Sequence, residues 1–255
     1  MTSTSDSKLT DDAFLGGKLH ILQPQHGDRA GVDAVLLAAS VPATHGQSVL
    51  ELGCGAGTAI LCLHARVPGL TLTAIELQPD YAALAQQNAA RNGAALSTYT
   101  GDLRAMPPEI TAHRYDHVIA NPPYYQRTKG HTARDMGRDT ARGGDTNLTD
   151  WVKAAAKRLA PKGFVTMIQA ADRLPDVLNA LPQMLGSVVV VPLSGRINRP
   201  ADRVIVQARH GGRAGFRLCA PIILHQGAAH PGDKSHYTPE IEAVLRNGAK
   251  LDIQR

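Results

Sequence analysis

The feature that most restricts this chain is the run Glu51-Leu52-Gly53-Cys54-Gly55-Ala56-Gly57, with glycine at alternate positions between a strand-like segment, 48–52, and a helix reading through Arg66. Bare backbone at a strand-to-helix junction lets a ligand approach closely, and the helix that follows presents unpaired N–H groups at the same point. The spacing is GxGxG. A dinucleotide fold uses GxGxxG, but here the third position after Gly55 is Thr58. Without a cradle for a pyrophosphate, a more compact nucleoside ligand is expected.

The segments around this run alternate between the two hydrophobic periods. Segment 72–76 reads as a strand, followed by a helix with Pro79 in its first turn and Asn92-Gly93 as its stop. A third strand, 97–100, ends in Gly101-Asp102, and a fourth, 117–120, runs into Asn121-Pro122-Pro123-Tyr124. A helix at 148–159, a strand at 163–169 and a helix at 173–185 follow. Strands at 187–191 and 203–208 have no helix between them and are expected to pair antiparallel. Strand, helix, strand in repetition predicts an α/β fold on a mostly parallel sheet. Ahead of the glycine run, Gly16-Gly17 between short apolar runs predicts a hairpin from Ala13, and 32–41 predicts a buried helix. Residues 1–12, rich in Ser, Thr and Asp, read as a flexible tail, and 13–255 as a single domain with a long basic loop at 126–147.

Composition narrows the partners. At 255 residues the chain can bury a substantial core, and it has no apolar run of the ~20 residues that a membrane helix needs. A net charge of +5 permits a polyanionic partner, whereas aromatics at 4% leave only one or two rings to grip a base. Cys54, Cys62 and Cys219 form no CxxC pair, which disfavours disulfides and zinc knuckles and fits a reducing cytoplasm. The histidines are scattered, with His225, His230 and His236 reading as surface, so no metal is expected.

Acidic residues follow the glycine run at successive strand ends. Glu76 is placed to accept hydrogen bonds from both hydroxyls of a ribose, and Asp102 to accept one from the exocyclic amine of an adenine. In this order the motifs resemble those of class I S-adenosylmethionine-dependent methyltransferases. The resemblance implies a Rossmann-like sheet of seven strands in the order 3-2-1-4-5-7-6, with the seventh antiparallel and helices on both faces. It implies S-adenosylmethionine as cofactor, with Gly53, Gly55 and Gly57 at the methionine moiety, Glu76 at the ribose and Asp102 at the adenine. Asp33, Glu51, Leu77, Leu103 and Asn121 complete the implied cofactor set, and Arg29 with Asp33 would close the entrance.

Asn121-Pro122-Pro123-Tyr124 matches the (N/D/S)PP(Y/F) motif of such enzymes that methylate nitrogen. A nitrogen conjugated to a ring attacks poorly because its lone pair is delocalised. An acceptor on Asn121 and the Pro122 carbonyl can bind the two amine hydrogens and aim the recovered lone pair. The prolines fix the carbonyl's direction, and Tyr124 offers a face on which a planar substrate stacks. The transferred nitrogen loses its proton afterwards, so no strong general base is required.

Enzymes with this tetrad act on adenine N6, guanine N2 or a glutamine amide. From Phe14 onward the chain resembles the bacterial tRNA(Val) adenine-N6 methyltransferase group, on the segment from Gln23-Pro24 through Leu37, the glycine run and the tetrad. That resemblance implies tRNA adenine-N6 methylation near the anticodon, at an unpaired base that needs little flipping. Tyr125, Arg127, Lys129, Arg134, Arg138, Arg142, Arg196 and Arg199 are then candidate RNA contacts, together with Arg203, Arg209, Arg213 and Arg217. Guanine N2 in rRNA, a protein or small-molecule amide or amine, and a cofactor-binding module without turnover remain the alternatives.

Overall fold

The structure, a computed structural model, describes residues 8–124, 146–227 and 236–253. Its main sheet runs β5 (Leu96–Thr100), β4 (Thr71–Glu76), β3 (Ser48–Leu52), β6 (Tyr115–Ala120), β7 (Leu159–Ala170), β9 (Ala201–His210), β8 (Leu185–Ser194), with neighbours hydrogen-bonded in that order. This is the expected 3-2-1-4-5-7-6 order. Two short strands, β10 (Arg217–Leu218) and β11 (Ile222–Ile223), extend it by pairing with β8. The first five strands are mutually parallel, and β9 is antiparallel to both β7 and β8.

Register places the functional edge. Leu52 at the end of β3 sits opposite both Ile75 and Ala120, and Ala120 opposite Met167 of β7. β3, β4 and β6 therefore end within one residue of one another, and β7 runs three residues further at the same edge. Because β9 runs the other way, its beginning lies at that same edge, with Arg203 opposite Ala170.

Strand side chains alternate between two apolar layers. Val49, Ile119, Ile168 and Ile205 face α1 (Val32–Ser40), α2 (Thr58–Arg66) and α7 (Pro239–Asn247), whereas Leu50, Val118, Val165, Met167 and Val206 face α5 (Leu148–Arg158) and α6 (Leu174–Ala180). The near-continuous burial along β3 and β6 is what a parallel sheet covered on both faces requires.

The N-terminal hairpin pairs β1 (Leu9–Phe14) with β2 (Leu19–Pro24), so residues 9–12 are strand and not tail. β1 buries little, and polar links hold it instead: Gln23 Nε2 and Arg29 both reach Asp12 Oδ2. The other edge of β2 is covered by side chains of α3 (Pro79–Arg91) and its cap. Asn88 bonds both N–H and C=O of Leu22, and Asn92 does the same for His20. Two asparagines four residues apart thus imitate a pairing strand.

Helix α6 ends at Ala180, five residues before the expected Leu185, because Leu181 precedes Pro182 and takes an extended conformation. Strand β7 begins earlier than expected, at Leu159. Helix α7 was not anticipated. Its signals are Thr238 before Pro239, glutamates in the first turn and Gly248 in a left-handed cap. Among the described residues no helix is long and apolar enough to cross a membrane.

Candidate active site

The glycine run forms a turn over the end of β4, where the N–H groups of Gly53 and Cys54 both donate to the Ile75 carbonyl. The three glycines have φ of +61°, +53° and +83°, the left-handed region that side chains disfavour. Their reasons for lacking a side chain differ. A Cβ on Gly53 would lie 2.4 Å from the Trp151 ring, and one on Gly57 would lie 3.2 Å from Ala85, so these two serve packing. A Cβ on Gly55 would meet no atom within 4 Å, because that position opens into a cavity.

Glu51 does not line that cavity. It is buried, and its Oε2 accepts the Ile60 N–H at 3.0 Å. Helix α2 starts after a glycine that has no side chain to cap it, and Glu51 supplies the missing acceptor from the neighbouring strand. The sequence assigns Glu51 to the cofactor, and the structure places its carboxylate at the helix whose start shapes the site. Burial pushes its carboxyl up to about 8, from an ordinary value of 4.5. Between those values the unfolded chain has released this proton while the folded chain keeps it, so stability falls as pH rises through the interval and levels off above it. Glu51→Gln keeps the acceptor and has no proton to lose. It is expected to flatten that decline, as denaturant titrations across the interval would record.

The cavity, of about 420 Å³, lies beyond the carboxyl edge of the sheet. This is the place and the size expected for a small ligand in an open α/β fold. Gly53 and Gly55 form part of its floor, and Glu76, Leu77, Asp102 and Leu103 line one side. Both oxygens of Glu76 are in use, Oε2 accepting the Gly55 N–H at 2.9 Å and Oε1 the Gln78 N–H at 3.0 Å. Glu76 therefore also fixes the glycine turn, and burial raises its carboxyl above the ordinary range. Asp102 accepts from the Arg104 backbone and pairs with its guanidinium, which holds its carboxyl below the usual range.

Residues 28–33 form the opposite wall. Two contacts pin this segment. The Tyr81 hydroxyl donates to the Asp28 carbonyl and accepts the Asp28 N–H, while Arg29 reaches back to Asp12, Thr10 and the Pro24 carbonyl. Arg29 thus anchors the wall to the hairpin, a link that its sequence position did not reveal.

The tetrad completes the enclosure, with Asn121, Pro122, Pro123 and Tyr124 all lining it. Gln169, buried at the end of β7, donates from Nε2 to the Pro122 carbonyl at 3.3 Å. The Tyr124 hydroxyl donates to Asp33 Oδ2 at 2.6 Å, the same oxygen that accepts from Arg203 Nε at 3.0 Å. The Arg203 guanidinium lies 4.7 Å from the centre of the Tyr124 ring. Burial, together with the neighbouring Asp33 charge, pushes the Tyr124 phenol far up, so it stays a donor. Asp33 sits in the first turn of α1, yet its carboxylate is directed to Tyr124 and Arg203. Trp151 and Gln169 were missed as site residues, and Arg203 was expected at RNA phosphates and not against Tyr124, because each comes from a distant segment that carries no motif.

The arginines divide. Arg196 and Arg199 lie in the turn joining β8 to β9, at the cavity's edge of the sheet. Arg199 is exposed, while Arg196 donates to the Gln226 carbonyl. Arg209, near the end of β9, is opposite Phe164, and its guanidinium covers that ring. It lies six positions along the strand from Arg203, roughly 20 Å, so Arg209 belongs to the far edge, while Arg217, opposite Val189, is level with Gln207 on the outer side of β8; neither flanks the cavity. Tyr125, Arg127, Lys129, Arg134, Arg138 and Arg142 lie outside the described residues.

Residues 28–193 match the family described as methyltransferase small domain. A tRNA1(Val) (adenine(37)-N6)-methyltransferase of Yersinia pseudotuberculosis is 33% identical over 217 residues, covering 83% of this chain and 82% of that protein. One from Yersinia enterocolitica is 29% identical over 223 residues, covering 85% of this chain and 84% of its own. Among solved structures, a predicted O-methyltransferase of Agrobacterium tumefaciens shares the fold with a TM-score of 0.69 at 22% identity, covering 86% of this chain and 98% of that one. A Thermus thermophilus 16S rRNA N2 methyltransferase, solved with AdoMet and guanosine, does so with a TM-score of 0.53 at 19% identity, covering 80% of this chain and 50% of its own. With its glycine turn, acidic strand ends and tetrad gathered around one cavity, the chain belongs to the methyltransferase small domain family, as a class I S-adenosylmethionine-dependent enzyme similar to the bacterial tRNA1(Val) adenine-N6 methyltransferases.

Proposed function

We propose that the chain methylates the exocyclic N6 of an adenine in tRNA, beside the anticodon. The observation that carries this reading is that Asn121 and the Pro122 carbonyl share one cavity with the Gly55 backbone and the Glu76 carboxylate. The open space at Gly55, which a Cβ would enter, fits a ligand seated against bare backbone. Gly53 and Gly55 would hold the methionine end of S-adenosylmethionine, Glu76 the ribose, and Asp102 with Leu77 and Leu103 the adenine. When bound, this cofactor supplies an electrophilic methyl on a sulfonium that leaves as a neutral thioether.

The remaining work is positioning. Asn121 Oδ1 and the Pro122 carbonyl accept the two hydrogens of the substrate amine and direct its lone pair at the methyl. The Gln169 bond and the proline rings keep that carbonyl in line. Tyr124 presents its ring to the base. After transfer the nitrogen's proton passes to water, so the buried Glu51 has no part in the chemistry.

The names of the curated relatives favour adenine N6 over guanine N2. The basic residues at the cavity edge agree with an RNA substrate, and the three free thiols agree with a cytoplasmic setting. Incubation with labelled cofactor and undermodified tRNA should yield N6-methyladenosine on nucleoside mass spectrometry. Its kcat/KM should fall about tenfold for a fourfold rise in salt, as two or so phosphate contacts require. N2-methylguanosine, or label confined to protein, would overturn the proposal.

A further inference from the structure

We infer that Arg203, acting through Asp33, is a positioning residue that sets the Tyr124 ring to receive the target base. This rests on the proposed function, since it assigns Tyr124 a planar substrate to stack on. Three segments far apart in sequence converge here: the first turn of α1, the residue after the paired prolines, and the third residue of β9. One carboxylate oxygen joins them, accepting from the tyrosine hydroxyl and from Arg203 Nε.

The geometry assigns the parts. Tyr124 and Asp33 line the cavity and Arg203 does not, and the guanidinium covers one face of the ring. The opposite face is left to the cavity. A tyrosine ring turns about two torsions, and stacking a base on it is weakened by whatever ordering the ring must then undergo. Here the hydroxyl is tied by a short, charge-assisted bond, and a planar cation rests on the ring. The ring is ordered before any substrate arrives. Arg203 also balances the Asp33 charge, which keeps the carboxylate available as the hydroxyl's acceptor.

A further consequence concerns specificity. With its hydroxyl committed to Asp33, Tyr124 offers a base only its π face, which every base can match. Discrimination at the reacting atom then falls to Asn121 and the Pro122 carbonyl. A lysine at position 203 would keep the charge but lose the flat, forked group that covers the ring and holds Asp33 together.

The test compares the parent with Arg203→Ala, Arg203→Lys, Tyr124→Ala and the Tyr124→Ala/Arg203→Ala double variant, using undermodified tRNA. Arg203→Ala is expected to lower kcat/KM about tenfold, while calorimetric affinity for S-adenosylmethionine and the denaturation midpoint stay at parental values. Arg203→Lys should recover little of the loss. The double variant should be no worse than Tyr124→Ala alone, because the arginine acts through the ring. Full recovery with lysine, or losses that multiply in the double variant, would overturn the inference. So would a fall in midpoint or cofactor affinity that tracks the fall in rate across the variants. A parent that modifies no tRNA would remove the functional reading itself, whereas an active parent matched by an equally active Arg203→Ala variant would sink this inference alone.

Discussion

Asn121→Ala is expected to lower kcat for methyl transfer to tRNA by about 10²–10³-fold, the usual loss when one polar group aimed at a developing charge is removed. The cause is specific to this nitrogen. Its lone pair becomes available only when both amine hydrogens are drawn into the right plane, and without the Asn121 acceptor the Pro122 carbonyl can hold only one of them. Asn121→Asp keeps an oxygen at the position and should retain part of the rate. Asn121 is half-buried at the end of β6 and carries none of the core, so the denaturation midpoint should be unaffected. Calorimetry should show cofactor affinity changing far less than kcat. An alanine variant as active as the parent would remove Asn121 from the chemistry.

Gly53→Ala is expected to have the largest effect on stability. A Cβ there would come within 2.4 Å of the buried Trp151 ring, and the residue would still have to hold φ near +61°. Backbone strain of ~1–3 kcal/mol and overpacking of ~1–3 kcal/mol together cost about 3–5 kcal/mol. That is a large part of the 5–15 kcal/mol by which a domain is ordinarily stable. Gly55→Ala separates the two roles of the run. Its Cβ meets no protein atom within 4 Å, so only the backbone strain opposes folding, but the methyl enters the cavity. Denaturant titration should find Gly53→Ala strongly destabilised and Gly55→Ala mildly so, with cofactor affinity lost in the second. Equal stability losses in the two would contradict this division.

Local grammar made much of this molecule legible. The glycine run, the strand-ending acids and the proline-stiffened tetrad follow from alternating periods and from residues with restricted backbones, all of which act over a few positions. The antiparallel pairing of the last two main strands followed equally from the missing helix between them. The departures from these expectations have both local and distant causes. Helix α6 stops early through a neighbouring proline, but β1 is held by Asp12, Gln23 and Arg29 from separate segments, and nothing local distinguishes it from a polar tail.

Glu51 shows the limit most clearly. Next to a glycine run an acid looks like a ligand contact, yet its carboxylate turns to the start of α2, where Gly57 leaves the helix uncapped. Trp151 fills the space that Gly53 leaves, from nearly a hundred residues away, and Arg203 reaches Tyr124 only because β9 runs against the parallel strands. The kind of sheet, the cofactor's class and the turn after β6 were thus encoded in short motifs, since each depends on backbone freedom and on spacing along one segment. Which acids face the cavity, which arginines lie near it and what orders the tyrosine ring depend on register and strand direction, and these exist only once distant segments have paired.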